Sequence, residues 1–139
     1  MEQNEKTETI AEAGMPDLRE ISVPALAYLG DCVLELCVRR HLIAKGLSTS
    51  AHLNAAALEY VRASAQAEAM KRLLPHLTED EASYFRRGRN LGHGNVPKRA
   101  TVSEYRSATG MEALFGYLHL AGKPDRIAEL FRLAYPEKE

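Results

Sequence analysis

The sequence has no tryptophan, and aromatic residues make up only 6% of its 139 residues. No hydrophobic run approaches the roughly 18 residues that a membrane-spanning helix needs. The first residues are polar and mildly acidic, unlike a signal peptide. The formal net charge of -1 provides no global attraction to nucleic acid or membrane, so an anionic partner must be drawn by a local patch. We therefore expect a cytoplasmic protein that makes no membrane contact.

Cysteine is almost as scarce, with only Cys32 and Cys37. They stand five positions apart in one helical pattern, so their side chains point to different faces and should not pair. There is no C-x-x-C motif and no nearby histidine ligand, which disfavours a zinc site. We interpret both as small buried thiols in an apolar setting.

The composition that remains is that of an ordinary globular domain, with 45% hydrophobic and 27% charged residues. This length allows one domain with a single core. We expect residues 1–15 to form a flexible leader and residues 16–139 to form the domain. No alternating strand pattern and no internal repeat is found, so the prediction is an all-α fold of about five to seven helices.

The longest apolar pattern follows a helix-start signal. Ser22 can cap a helix with Pro24 in its first turn, and the apolar pattern runs from there to Ala44. Gly46 follows as a left-handed stop. This predicts a long, largely buried helix that carries Asp31.

The rest of the chain predicts shorter helices. Residues 49–74 are rich in alanine and predict one helix or two, with a possible break near Ser64. Two threonine–glutamate pairs at capping-box spacing start later helices, and a loop with two glycines and a proline separates these helices. The pairs are Thr78 with Glu81 and Thr101 with Glu104, the loop is "NLGHGNVPK", and the last short helix begins at Pro124.

Two carboxylates stand in strongly apolar helices. Asp31 lies at the centre of "ALAYLGDCVLELCV", and Glu112 is the sole acid of "SATGMEALFGYLHLAG". The neighbouring Gly30, Gly110 and Gly116 would let two helices approach closely enough to bring the carboxylates together. Buried like charges repel, and a hard cation such as Mg²⁺ would relieve that repulsion. From the pattern alone, solvent-facing or capping roles for the two acids remain equally open.

These stretches resemble a known family. "LAYLGDCVLEL", "RRGRN" and "VPKRATVSEYRSATGMEALFGYLHLAG" resemble the ribonuclease III catalytic domain, most closely the Mini-ribonuclease III branch, which lacks a double-stranded-RNA-binding domain. The resemblance covers nearly everything after the leader. It implies an all-helical homodimer that cleaves double-stranded RNA with Mg²⁺ and matures the ends of large-subunit (23S) ribosomal RNA precursor. A ribosomal protein that presents the substrate is a further expected partner.

The resemblance implies that Asp31 and Glu112 are the catalytic and metal-binding acids. Two positions depart from the larger ribonuclease III enzymes. Ala27 stands where those enzymes have a glutamate, and Thr109 stands where they have another acid. These departures match the Mini-ribonuclease III pattern and leave the number of metal ions open.

Glu35 is a third acid near the expected site. It lies one turn after Asp31 on roughly the same helix face. Glu35 could make a water-mediated contact to the metal, or it could pair with Arg39 or with another helix.

A local positive charge precedes the helix of Glu112. Residues 86–106 contain six basic residues and one acid, Glu104, in a chain of net charge -1. Basic residues on a loop beside an active centre suit phosphate contact, although charge alone fits a solvated loop equally well. The predicted RNA-binding residues are Arg86, Arg87, Arg89, Asn90, Lys98, Arg99 and Arg106.

Two other classes of function compete with an endoribonuclease. One is a non-catalytic ribosome- or RNA-binding module on the same scaffold, which the presence of both Asp31 and Glu112 disfavours. The other is a helical protein-interaction domain, in which the positively charged segment 86–106 would not bind RNA.

Overall fold

The computed structural model describes residues 14–91 and 98–137, and this part of the chain contains helices and no strand. The all-α prediction is therefore confirmed. Most of the predicted leader lies outside the described residues. The α-helices are α1 (Val23–Ala44), α2 (Ser50–Val61), α3 (Ala63–Leu73), α4 (Glu79–Arg89), α5 (Val102–Leu120) and α6 (Pro124–Ala134), and short 3-10 helices span Leu18–Glu20 and Leu74–His76.

The predicted helix ends are confirmed by their capping groups. The Ser22 hydroxyl accepts a hydrogen bond from the Ala25 N–H, and Gly46 adopts a left-handed conformation with φ 92°. The alanine-rich region forms two helices, because the backbone is extended at Arg62, close to the predicted break. Both capping boxes form, Thr78 with Glu81 and Thr101 with Glu104.

Helix α5 lies at the centre of the fold. Helices α1, α3, α4 and α6 all pack against it. A helix that is apolar on most of its sides needs such neighbours to bury it. No helix in residues 14–91 and 98–137 is long and apolar enough to cross a membrane. The buried residues of α5 are Ala108, Gly110, Met111, Ala113, Leu114, Phe115, Gly116, Tyr117 and Leu118.

Glycines let the backbones of α1 and α5 meet. A Cβ placed on Gly30 would lie 1.6 Å from the carbonyl oxygen of Glu112. A Cβ on Gly116 would lie 2.0 Å from the carbonyl oxygen of Leu26. Because the opposing atoms are backbone, no rotamer change could make room for a side chain. The sequence-based prediction of a close glycine-mediated approach is confirmed for Gly30 and Gly116, whereas Gly110 faces Phe85 of α4.

A buried ion pair joins α4 to α6. The Glu81 carboxylate is only 4% exposed and accepts hydrogen bonds from the Arg126 guanidinium at 2.8 and 2.9 Å. Arg126 also donates to the carbonyl oxygen of His76 at 2.7 Å. The hydrogen bonds from Arg126 hold the pKa of Glu81 below its usual value. This buried carboxylate is therefore paired and has a structural role.

We expect Gly30→Ala to lower the free energy of unfolding by at least about 2 kcal/mol, because the methyl group would force α1 away from α5. Urea denaturation followed by circular dichroism would measure the change. Cys32→Ala, at an exposed position of the same helix, should stay within about 0.5 kcal/mol of the wild type. Wild-type stability in Gly30→Ala would contradict the close approach of the two backbones.

Candidate active site

Asp31 and Glu112 lie at the crossing of α1 and α5. Asp31 directly follows Gly30, whose missing side chain would meet the backbone carbonyl of Glu112. Asp31 is close enough to Glu112 for its charge to add to the effect of burial in raising the pKa of Glu112. The glycine contact therefore brings together the two acids that the sequence separates by 81 positions.

Glu112 has an unusual affinity for a proton. Burial of its half-buried side chain, and secondly repulsion from Asp31, raise the pKa of Glu112 to about 7. A carboxyl group with this pKa is protonated in about half of the molecules at neutral pH. A nearby cation would favour the ionised form and draw both carboxylates toward itself.

The prediction that Asp31 is buried is wrong, because its side chain is exposed. Gly30 occupies the position against α5, and each following residue of a helix is rotated by about 100° from the one before. Cys32, also predicted to be buried, is exposed for the same reason. Cys37 is half-buried, and burial raises the pKa of its thiol.

Among the described residues, no third acid joins the pair. Within the described residues, no group of three or more histidine, cysteine, aspartate or glutamate side chains could hold a metal ion. Glu35 forms an ion pair with Arg39 at 3.7 Å, which was one of its two predicted roles. Ala27 is buried, and the Thr109 hydroxyl donates to the carbonyl oxygen of Tyr105 at 3.0 Å. Two carboxylates suit a hard cation that fills its other positions with water.

The predicted RNA-binding residues lie around the end of α4 and the start of α5. Asn90 caps the C-terminus of α4, and its side-chain oxygen accepts a hydrogen bond from Arg89 Nε at 3.3 Å. Lys98 and Arg99 are exposed just before α5, and Arg106 is exposed within its second turn. Residues 92–97 of the predicted loop lie outside the described residues.

The arginines of α4 have different surroundings. Arg86 pairs with Glu79 at 2.9 Å. The Arg87 guanidinium lies 4.1 Å from the ring centre of Tyr84, and that ring stacks on Tyr117 with centres 4.0 Å apart. The sequence-based site did not include Tyr84, although its spacing of three residues from Arg87 on a helix could have indicated the contact.

Comparison with known proteins identifies the family of the chain. The Ribonuclease III domain family matches residues 24–123. Mini-ribonuclease 3 of Brevibacillus brevis is 49% identical over 110 residues, which cover 79% of this chain and 82% of that protein. Mini-ribonuclease 3 of Symbiobacterium thermophilum is 48% identical over 110 residues, covering 78% and 84%. The chain belongs to the ribonuclease III family.

The ribonuclease III fold of the chain has a counterpart among crystal structures. A protein from Fusobacterium nucleatum superimposes with a TM-score of 0.78 at 28% identity, covering 88% of this chain and 100% of that one. As a member of the ribonuclease III family, the chain is an endoribonuclease. The family acts on double-stranded RNA and is generally dependent on a divalent metal.

We expect the stability of the metal-free protein to fall as the pH rises from about 4.5 to about 7. In this window the folded chain keeps a proton on Glu112 that the unfolded chain releases, so a higher pH favours unfolding. Glu112→Gln removes this titration. The difference in stability between pH 5 and pH 8 should therefore shrink by on the order of 2 kcal/mol.

Urea denaturation in the presence of a chelator, repeated across this pH range, would measure the effect. Glu68→Gln, at an exposed position of α3, is the matched control and should retain the pH profile of the wild type. Parallel profiles for Glu112→Gln and the wild type would contradict the raised pKa of Glu112.

Proposed function

We propose that the chain cleaves double-stranded RNA with Mg²⁺ held by Asp31 and Glu112, and that it matures the ends of 23S ribosomal RNA precursor. The observation that carries the metal site is the adjacency of two carboxylates, one of which has a pKa raised to about 7. The ribosomal substrate is supported by the likeness to the Mini-ribonuclease 3 relatives. In this proposal, residues 16–139 form the catalytic domain and residues 1–15 precede it.

The two acids match the chemistry of the proposed cation. Mg²⁺ prefers a few carboxylate oxygens and keeps water in its remaining positions. When bound, it would acidify water for attack on the phosphodiester and stabilise charge on the leaving oxygen. Asp31 and Glu112 must both be ionised to hold it, and Gly30 sets how closely they approach. A non-catalytic RNA-binding module would not require this pair.

The basic residues of α4, of the turn before α5 and of the start of α5 supply the proposed RNA contact. Contacts to phosphates give affinity without reading sequence. The exposed 2′-hydroxyls and phosphates of A-form RNA favour recognition of shape. Selectivity among RNA duplexes would then come from substrate structure or from a ribosomal protein that presents the precursor. We retain a cytoplasmic location as a prediction. The residues in this proposed surface are Arg86, Arg87, Arg89, Asn90, Lys98, Arg99 and Arg106.

The proposed homodimer uses the exposed face of α1. Tyr28, Leu36 and Ile43 are 85%, 57% and 64% exposed, and their spacing of seven to eight residues places them on one side of the helix. Leu58 of α2 adds a further exposed apolar side chain. Asp31 is also solvent-exposed on α1. A twofold dimer through this helix would carry two acid pairs, one for each RNA strand.

We expect Asp31→Asn to reduce cleavage of an RNA duplex more than about 100-fold, since even outer-shell partners of a metal contribute 10- to 100-fold. The fold should remain intact, because the substitution removes one of two repelling charges. A gel assay with labelled duplex, with and without Mg²⁺, measures cleavage, and circular dichroism measures folding. Glu35→Gln, the neighbouring acid of α1, should retain most activity. Loss of activity through unfolding, or an equal loss in Glu35→Gln, would contradict the assignment.

We expect a mixed dimer of wild-type and Glu112→Gln chains to nick one strand of a duplex and leave the other intact. Each chain supplies one acid pair, so the mixed dimer keeps one working site. Differently tagged chains allow the mixed species to be isolated, and denaturing gels with each strand labelled separately show the cuts. Cleavage of both strands in one binding event, or an active wild-type monomer in sedimentation, would refute one site per strand.

A further inference from the structure

We infer that the Tyr84–Tyr117 stack holds Arg87 ready to contact an RNA phosphate, so that Tyr84 and Tyr117 are positioning residues for substrate binding. This inference rests on the proposed function, in which the RNA lies along the basic residues from α4 to the start of α5. Its basis is that Arg87 combines a close ring contact with unused hydrogen-bond donors, whereas Arg86 pairs with Glu79 and Arg89, which lies 5.5 Å from the ring centre of Phe85, donates to Asn90.

The stack begins in the core and ends at the surface. Tyr117 of α5 is 8% exposed and belongs to the main hydrophobic core. The half-buried ring of Tyr84 lies almost parallel to it, with ring centres 4.0 Å apart and an angle of 14°. The guanidinium of the exposed Arg87 lies 4.1 Å from the centre of the Tyr84 ring. Packing against the core residue Tyr117 therefore fixes the Tyr84 ring, and the exposed Arg87 side chain contacts that ring.

Arg87 keeps its hydrogen-bond donors available. Arg86 is paired with Glu79, and Arg89 donates to Asn90. Across residues 14–91 and 98–137, no hydrogen bond from the Arg87 side chain and no carboxylate within ion-pair distance of it is found. A guanidinium that lies over a ring makes this contact without using its N–H groups as hydrogen-bond donors, and their planar arrangement matches a phosphate.

The stack also restricts the side chain before RNA arrives. A free arginine loses much of its conformational freedom when it binds a phosphate, and this loss opposes binding. Arg87 is already restricted by its contact with Tyr84. The tyrosine ring should therefore strengthen RNA binding without touching the RNA, and only while Arg87 is present.

Binding of a short blunt-ended RNA duplex tests this coupling. Fluorescence anisotropy in the presence of a chelator measures Kd without cleavage, at a temperature where thermal unfolding shows every variant to be folded. We expect Tyr84→Leu to weaken binding about two- to tenfold, the cost of immobilising one flexible side chain on binding. In an Arg87→Ala background, Tyr84→Leu should cause no further loss.

Conservative variants and a second arginine provide the controls. Tyr84→Phe keeps the ring and should keep the coupling to Arg87. Arg87→Lys keeps the charge but loses the planar fork, so it should bind more weakly than the wild type. The effects of Arg86→Ala and Tyr84→Leu should add, because these side chains have different partners.

An equal effect of Tyr84→Leu with and without Arg87 would overturn the inference. Wild-type affinity in Arg87→Lys would also overturn it, and this variant covers the case in which Tyr84→Leu does not fold. If the wild type binds and cleaves the duplex while the effects merely add, the inference alone fails. If the wild type does not bind the duplex, the proposed function fails as well.

Discussion

The contact between the backbones of α1 and α5 is the constraint on which the fold and the candidate active site both depend. Gly30 and Gly116 have no Cβ, and any Cβ there would overlap carbonyl oxygens of the facing helix. The helices can therefore pack more closely than side chains would allow. Because Asp31 follows Gly30, and Gly30 faces Glu112 itself, the contact that closes the core also sets the approach of the two acids.

This arrangement places two repelling carboxyl groups beside the close contact of α1 and α5. Burial and the charge of Asp31 both disfavour an ionised Glu112, which is why its pKa rises to about 7. A ligand that binds only the folded state stabilises that state. A cation bound by both acids would relieve the repulsion and so couple metal binding to stability. The Asp31 side chain lies on a solvent-exposed face of α1.

Helix α4 packs against the core on one side and presents arginines to solvent at its C-terminal end. Gly88 and Phe85 pack against α5, and Glu81 is tied to Arg126 of α6, so one side of the helix is held firmly. Its last turn presents three arginines, of which Arg87 rests on a tyrosine anchored in the core. Because the other side of α4 is packed in this way, the arginines of its last turn have defined positions at the end of the helix.

The sequence by itself determined the helices and the two acids of the candidate site. Helix ends depend on hydrogen bonds between residues three or four positions apart, as at Thr78–Glu81, and such signals can be read locally. The pairing of Asp31 with Glu112 followed from two isolated acids beside glycines and from the family resemblance.

Only the tertiary structure decided which way these side chains face and what surrounds them. The apolar neighbours of Asp31 suggested burial, but the rotation of α1 that places Gly30 against α5 turns Asp31 outward. The three arginines of α4 look alike in sequence, yet Arg86 pairs with Glu79, Arg87 lies 4.1 Å from the Tyr84 ring centre and Arg89 lies 5.5 Å from that of Phe85. Burial and pKa depend on atoms brought from distant parts of the chain, and local spacing does not determine how helices rotate against one another.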